Sequence, residues 1–139
     1  MVRTLSALLA FLAIGFAVSA DKPAAKNGVA DAIPLVKEDK IEVKSGKWNE
    51  PSLVKTEDEL KKLIPDEATH KRLMKEVDFK THVLLVFSWR GSGQDKIEVA
   101  ILESFPEQVK FTRKEGRSDD LQSLVKLFAV KKESKWSAK

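Results

Sequence analysis

One short apolar segment places the strongest limit on the fold of this chain. Residues 83–87 are five consecutive apolar residues, rich in β-branched and aromatic side chains, between the polar pair Lys80-Thr81 and the segment Arg90-Gly91-Ser92-Gly93. A run of this length with polar ends is typical of a strand that is buried on both faces. We therefore expect this strand to lie in the centre of a sheet.

Two short helices are predicted before this strand. Thr56 is followed three residues later by Glu59 and then by apolar residues, which is a capping box: the threonine hydroxyl accepts from the Glu59 amide, and the glutamate reaches back. Pro65 should end this helix, and Asp66 can begin a second one that extends through residue 77. The inner side of the second helix is predicted to carry Ala68, Leu73, Met74 and Val77.

After the helices the sequence predicts several strands with short connections. Residues 96–103, 109–112 and 124–130 have strand patterns, and residues 41–43 have the alternation of a short strand. Short connections favour an antiparallel meander, in which residues 83–87 pair with residues 96–102. Helices that precede a run of strands indicate an α+β fold, with short helices packed on a mostly antiparallel sheet of about four or five strands.

The first twenty residues have the pattern of a secretory signal peptide. Arg3 is their only charge, residues 5–18 are an uncharged apolar run, and Val18-Ser19-Ala20 precede the charged Asp21. The run of 14 residues is shorter than the roughly 20 that a membrane span needs. We expect cleavage after Ala20 and a secreted or periplasmic protein without a stable membrane anchor.

The remaining sequence predicts one domain with two polar flanks. Residues 21–32 lack a periodic apolar face and are expected to form a flexible leader. Residues 33–131 are expected to form a single α+β domain, since a chain of this length supports one core. Residues 132–139 are predicted to be a polar tail.

Composition and spacing exclude several kinds of site. The chain has no cysteine, which excludes disulfides, a lipoprotein cysteine, a thiol nucleophile and a thiolate zinc site. A net charge of +4 is too mild to imply nucleic acid, and charges of alternating sign are typical of a solvated surface. His70 and His82 lack metal-ligand spacing, so no metal or cofactor is predicted and each histidine is expected to be exposed or hydrogen-bonded locally.

A hydrolase is one alternative that the residues leave open. Ser92 lies between Gly91 and Gly93, and His82 and Asp95 are its conceivable triad partners. A nucleophile elbow would need glycine at position 90, which is arginine. The simpler interpretation, and our expectation, is a non-enzymatic protein in which the two glycines relieve a hairpin turn while the serine faces water.

An anion or glycan binder is a second alternative. Arginines in predicted loops, beside glycine amides, can surround a phosphate, a sulfate or an acidic glycan. The candidate binding residues are Arg90, Ser92, Gln94, Arg113 and Arg117. Glu115, Asp119 and Asp120 dilute this charge and favour a solvated loop, with the aspartates, like Asp95, capping turns. Trp48, Trp89 and Trp136 are either ligand-stacking or core residues, and we expect Trp89 to be packed.

One resemblance supports a binding role. A helix, the segment Val77-Asp78-Phe79, the strand at residues 83–87 and a glycine-containing turn lead in this order to Ile97-Glu98-Val99. Over about residues 53–131 the order resembles the C-terminal domain family of PrcB, a protease-complex stabilising protein, although Gly91-Ser92-Gly93-Gln94 replaces the family's Gly-Gly-aromatic turn. The resemblance implies a compact non-enzymatic domain that contacts other proteins, and no catalytic residue. We therefore expect an exported domain that binds a protein or peptide.

Overall fold

The computed structural model describes residues 29–139, and the predicted signal peptide and its cleavage site lie outside these residues. The fold is α+β, as predicted, with two short helices and seven strands in two mostly antiparallel sheets. In chain order the elements are β1 (Ala30–Ile33), β2 (Ser52–Val54), α1 (Glu57–Leu63), α2 (Glu67–Glu76), β3 (His82–Ser92), β4 (Lys96–Leu102), β5 (Gln108–Lys114), β6 (Leu121–Lys131) and β7 (Lys135–Ala138). Within the described part of the chain, no helix is long and apolar enough to cross a membrane.

The strands divide between a four-stranded and a three-stranded sheet. The four-stranded sheet has the order β1-β6-β3-β2, and the three-stranded sheet has the order β4-β5-β7. All neighbours are antiparallel except β5 and β7. The predicted meander is therefore wrong: β3 pairs with β6 and β2, while β4 leaves for the second sheet and pairs with β5.

Strand β3 is the centre of the molecule, as the apolar run at residues 83–87 predicted. Leu84 and Val86 pack on one face with the helices, whereas Leu85 and Phe87 pack on the other face against the three-stranded sheet. Each face is buried because a different layer covers it. The protein thus has three layers: helices, the four-stranded sheet and the three-stranded sheet.

The helices begin and end where the sequence predicted. The Thr56 hydroxyl accepts a hydrogen bond from the Glu59 amide at 3.3 Å, and the Glu59 carboxylate accepts from the amide of Lys55 at 2.6 Å. Asp66 caps α2 by accepting from the Thr69 amide at 3.0 Å. One expected inner residue, Ala68, is exposed instead. The other three are confirmed, since Leu73 and Val77 are buried in the helix-side core and Met74 packs against it. Thr69 and His70 are buried beside them.

The folded part extends beyond its predicted limits at both ends. β1 lies mostly within the predicted leader and pairs with residues 127–130 of β6. β7 lies within the predicted polar tail and pairs in parallel with β5. Both strands are four residues long, which is too short for a two-residue period to stand out from a polar segment. Residues 41–43 form no regular strand, but Ile41 and Val43 still pack against the helix-side core.

Candidate functional site

Asp95 is the centre of a buried polar network where β3 ends and β4 begins. One carboxylate oxygen accepts from the indole Nε1 of Trp89 at 3.0 Å, and the other accepts from the amide of Gly116 at 2.7 Å. The Arg113 Nε lies 3.7 Å away. The hydrogen bonds from Gly116 and Trp89, with the nearby charge of Arg113, hold the pKa of Asp95 below its ordinary value of 3.8 against the opposing effect of burial.

The glycines around this network lack a Cβ atom and so leave room for neighbouring side chains, while their backbone dihedral angles are ordinary. In residues 29–139 no glycine has a positive φ. Gly93 does lie in a turn, which the Asp95 amide closes by donating to the Ser92 carbonyl at 2.9 Å, but this turn joins strands of two different sheets and is not the expected hairpin. Gly91 still lies within β3, where a Cβ atom would lie 2.9 Å from the Trp89 Nε1 and closer still to the Asp95 carboxylate. A Cβ at Gly116 would lie 2.7 Å from the Ser92 hydroxyl oxygen.

The structure separates His82 from the other two residues of the hypothetical triad, Ser92 and Asp95. His82 and Ser92 are the two ends of β3, about 33 Å apart in an extended strand. The Ser92 hydroxyl instead lies 2.5 Å from that of Ser118 and accepts from the Gln94 amide at 3.2 Å. The Ser92 hydroxyl therefore joins the β3–β4 turn to the β5–β6 connection, and His82, Ser92 and Asp95 do not form a triad in this structure.

The five candidate binding residues do not converge on one anion site. Arg113 lies between the carboxylates of Asp95 and Glu115, which neutralise it. Arg117 and Gln94 are exposed near the network. Arg90 is exposed and lies opposite Ser123 of β6. The three arginines therefore do not form one anion or glycan site in this structure, because Arg113 is already paired and Arg90 belongs to the four-stranded sheet.

The two histidines do not belong to a metal site among the described residues, and Asp120 binds the backbone of a nearby turn. His70 and His82 are both buried, and residues 29–139 contain no group of three side chains that could hold a metal ion. Thr81 Oγ1 lies 2.7 Å from the Nδ1 of His82, while the Nε2 of His70 has no hydrogen-bond partner among the described residues. Asp120 accepts from the amide of Gly93 at 3.4 Å, which agrees with the predicted turn-capping role.

The tryptophans belong to the core between the two sheets. Trp89 is 1% exposed, which confirms that it is packed. Trp48 and Trp136 are partly buried against the same core. Their indole rings are therefore not arranged as an open platform for a ligand.

An exposed apolar surface follows β4, which is an edge strand of the three-stranded sheet. Val99 and Ile101 lie opposite Phe111 and Val109 of β5, on the inward face, yet remain 36% and 46% exposed. Leu102 is 49% exposed on the other face, and Phe105, in the connection to β5, is fully exposed. Large exposed apolar residues that cluster on a surface mark interaction sites more often than isolated ones do.

Sequence reasoning missed this surface, although it contained a signal. Residues 96–103 alternate imperfectly, because Leu102 follows Ile101 directly and places an apolar side chain on the polar face. Such a break in alternation indicates that both faces of the strand carry apolar side chains.

A separate groove of about 570 Å³ lies between the start of α1 and the end of α2. Met74 and Phe79 contribute apolar surface to it, and none of the predicted binding residues lines it. Its charged residues have both signs: Lys55, Lys75, Lys80, Lys132, Glu57, Glu76 and Asp78. The groove therefore has no strong preference for an anion or a cation.

Comparisons of the chain with protein-family models, with curated proteins and with solved structures gave no match. The resemblance to the PrcB domain family is neither supported nor refuted by them and stays a prediction.

Proposed function

We propose that this protein is an exported, non-enzymatic domain that binds an extended segment of a partner protein along the free edge of β4. The observation that carries the proposal is the seven-residue edge strand with exposed apolar side chains at Val99 and Ile101. Edge strands of soluble proteins are usually short, charged or covered, because an open edge pairs with other chains. A long apolar edge favours a role in pairing.

The edge offers two kinds of recognition to an added strand. Backbone N–H and C=O groups on the outer side of β4 have no strand partner in the described part of the chain, and they supply affinity that is independent of sequence. Every second side chain of the added strand would lie beside Ile97, Val99 and Ile101. These neighbours favour a segment with apolar residues at alternate positions.

A non-enzymatic role is supported by the polar network, whose members are used to hold structure. The Asp95 carboxylate is committed to two hydrogen bonds, and the Ser92 hydroxyl to two contacts. The implied role of the PrcB-like pattern, contact with other proteins, agrees with this interpretation. Export rests on the sequence of residues 1–20, and mass spectrometry of exported protein should show Asp21 as the first residue.

The β4 edge can be tested with a backbone-modified peptide. Extended peptides are selected from a random library against the exported protein, and one binder is then resynthesised with single N-methyl groups along its length. Pairing with an edge strand predicts that N-methylation weakens binding at every second residue only, since alternate amides point toward β4. Weakening without this two-residue period, or failure to select any extended peptide, would contradict the proposal.

A pair of variants locates the bound peptide. Ile101→Lys places a charge at the proposed edge, whereas Leu121→Lys places the same charge at an apolar residue of β6 that is 63% exposed. We expect the first variant to weaken peptide binding about tenfold or more and the second to leave it unchanged, measured by fluorescence anisotropy. Equal effects of the two variants, or a β4-mediated dimer that excludes the peptide, would refute the proposed edge.

A further inference from the structure

The outward face of the three-stranded sheet gathers lysines that are scattered in the sequence. Along β5 the side chains of Val109 and Phe111 are buried, whereas Lys110 and Lys114 are exposed on the opposite face. The pairing of β4 and β7 with β5 places further lysines on this face. Its five lysines are Lys96, Lys110, Lys114, Lys135 and Lys139, the last of which lines a shallow cavity of about 230 Å³ together with Lys110 and Lys135.

The positive charge of this face is largely uncompensated. Glu98 is its only acidic residue, and it forms an ion pair with Lys114 at 2.7 Å. The other four lysines form no ion pair within residues 29–139. Five lysines and one glutamate give this face a formal charge of +4, whereas residues 29–139 as a whole carry 22 lysines and arginines against 20 acidic residues, a net charge of +2. The rest of these residues is therefore slightly acidic, and the positive charge of the domain is concentrated on this face.

The form of the face indicates what kind of anion it fits. None of the residues at the outward positions of β4, β5 and β7 is aromatic, and Trp136, which also lines the cavity, packs against the core between the sheets. The face therefore lacks the open stacking surface that single-stranded nucleic acids and sugars use. The charges are spread over a sheet face. Two exposed apolar residues lie at one end of it: Leu102 on the face itself and Phe105 in the β4–β5 connection.

A lipid bilayer with anionic headgroups presents the complementary surface. It offers negative charge in a plane, where basic side chains are attracted, and an apolar layer beneath, where exposed aromatic and aliphatic side chains insert. We propose that the outward face of the three-stranded sheet docks on an anionic bilayer, with the lysines at the headgroups and Phe105 inserted at the interface. Such docking is peripheral and reversible, and it is separate from peptide binding at the β4 edge.

The proposal is tested by flotation with vesicles of phosphatidylcholine, prepared with and without phosphatidylglycerol. All proteins are purified with the amino terminus they have after export, so that variants differ only in the folded domain. We expect binding to the anionic vesicles only, and release at high salt, because the screening length falls from about 10 Å at 0.1 M to about 3 Å at 1 M. Binding to pure phosphatidylcholine vesicles, or binding to anionic vesicles that is equally strong at low and high salt, would overturn the proposal.

Two double variants with the same change in net charge separate the face from the overall charge. Lys110→Glu with Lys135→Glu alters the basic face, whereas Lys37→Glu with Lys62→Glu alters exposed lysines elsewhere. Because each lysine near an anionic surface contributes about fivefold to partitioning, the first pair should weaken vesicle binding about 25-fold or more. The second pair should change it by less than about threefold, because Lys62 belongs to α1 and Lys37 to the β1–β2 connection, both outside the three-stranded sheet. Equal losses would overturn the proposal.

Two further measurements identify the ligand class and the inserted residue. Phe105→Ser should weaken binding to anionic vesicles, with thermal unfolding unchanged because Phe105 is fully exposed; unaltered vesicle binding would refute insertion. Ile101→Lys should retain vesicle binding, which distinguishes this surface from the peptide edge. If an oligoglutamate peptide binds through Lys110 and Lys135 while anionic vesicles do not bind, the bilayer proposal is refuted and the ligand of this face is an acidic protein segment.

Discussion

The indole Nε1 of Trp89 donates a hydrogen bond to the Oδ2 of Asp95 across 3.0 Å, and both side chains are buried. Trp89 belongs to the four-stranded sheet, while Asp95 immediately precedes β4 of the three-stranded sheet. The other carboxylate oxygen of Asp95 holds the Gly116 amide of the β5–β6 connection. One aspartate therefore joins three chain segments at the point where the two sheets meet.

Asp95→Asn is expected to destabilise the protein by about 2 to 4 kcal/mol, because an amide replaces a charged acceptor of two hydrogen bonds and leaves Arg113 without its buried partner. The asparagine NH₂ group is a donor, so whichever of the Trp89 indole and the Gly116 amide faces it loses its acceptor. Urea denaturation measures the change. Asp119→Asn is the matched control, since Asp119 is exposed and loses the same charge; a similar cost in both variants would contradict the role given to Asp95.

The same carboxylate should make stability depend on acid pH. The pKa of Asp95 is lowered from its ordinary value of 3.8 in the folded protein, so its stabilising contribution is complete above that ordinary value and is lost as the pH falls through the lower folded pKa. The free energy of unfolding of the parent should therefore fall more steeply between about pH 5 and pH 2 than that of Asp95→Asn. Parallel curves for the two proteins would show that this carboxylate has no shifted pKa.

Local signals predicted local structure well. The capping residues of α1 and α2 lie within a few residues of the groups they bind, and the apolar run at residues 83–87 reports directly on burial of both faces. The separation of β3 from β4 could not be predicted in this way. It depends on the distant pairing of β3 with β6, from Ser92 opposite Leu121 to His82 opposite Lys131, and on the packing of Asp95 against Gly91.

The candidate surfaces could not be predicted either, because they also depend on how the strands pair. Along β5, Lys110, Arg113 and Lys114 look like equivalent charges in the sequence, but the two-residue period directs Arg113 inward to Asp95 and both lysines outward. The sign alternation that indicated an ordinary solvated surface disappears once a sheet separates odd from even residues. Partners in space, rather than neighbours in sequence, decide which charges remain free.

Leu85→Ala is expected to cost about 2 to 5 kcal/mol, since it removes a fully buried side chain from the core between the sheets and leaves a cavity. Leu84→Ala should cost a similar amount on the helix-side face of the same strand. Leu121→Ala, at a residue that is 63% exposed, provides the control and should stay within about 0.5 kcal/mol. Denaturation midpoints measure all three, and a small effect at Leu85 would mean that β3 is not central.

Ser92→Ala should lower stability by about 1 kcal/mol without removing any activity, because the hydroxyl contacts Ser118 and accepts from the Gln94 amide. This cost exceeds what a serine that faces water would give. Chemical denaturation gives the stability, and a broad esterase and peptidase screen runs beside it. Hydrolysis by the parent that disappears in the variant would overturn the structural role of this serine.

Gly91→Ala is expected to destabilise the protein by about 1 to 3 kcal/mol through overpacking, because the new methyl group would enter the space held by the Asp95 carboxylate and the Trp89 indole. Gly46→Ala is the matched control: the nearest atom to its added Cβ is 3.9 Å away, so it should be tolerated. The cause is tested by combination with Asp95→Ala, which removes the nearest obstacle. The cost of Gly91→Ala should then shrink in a double-mutant cycle. Strict additivity of the two substitutions would show that glycine is required there for another reason.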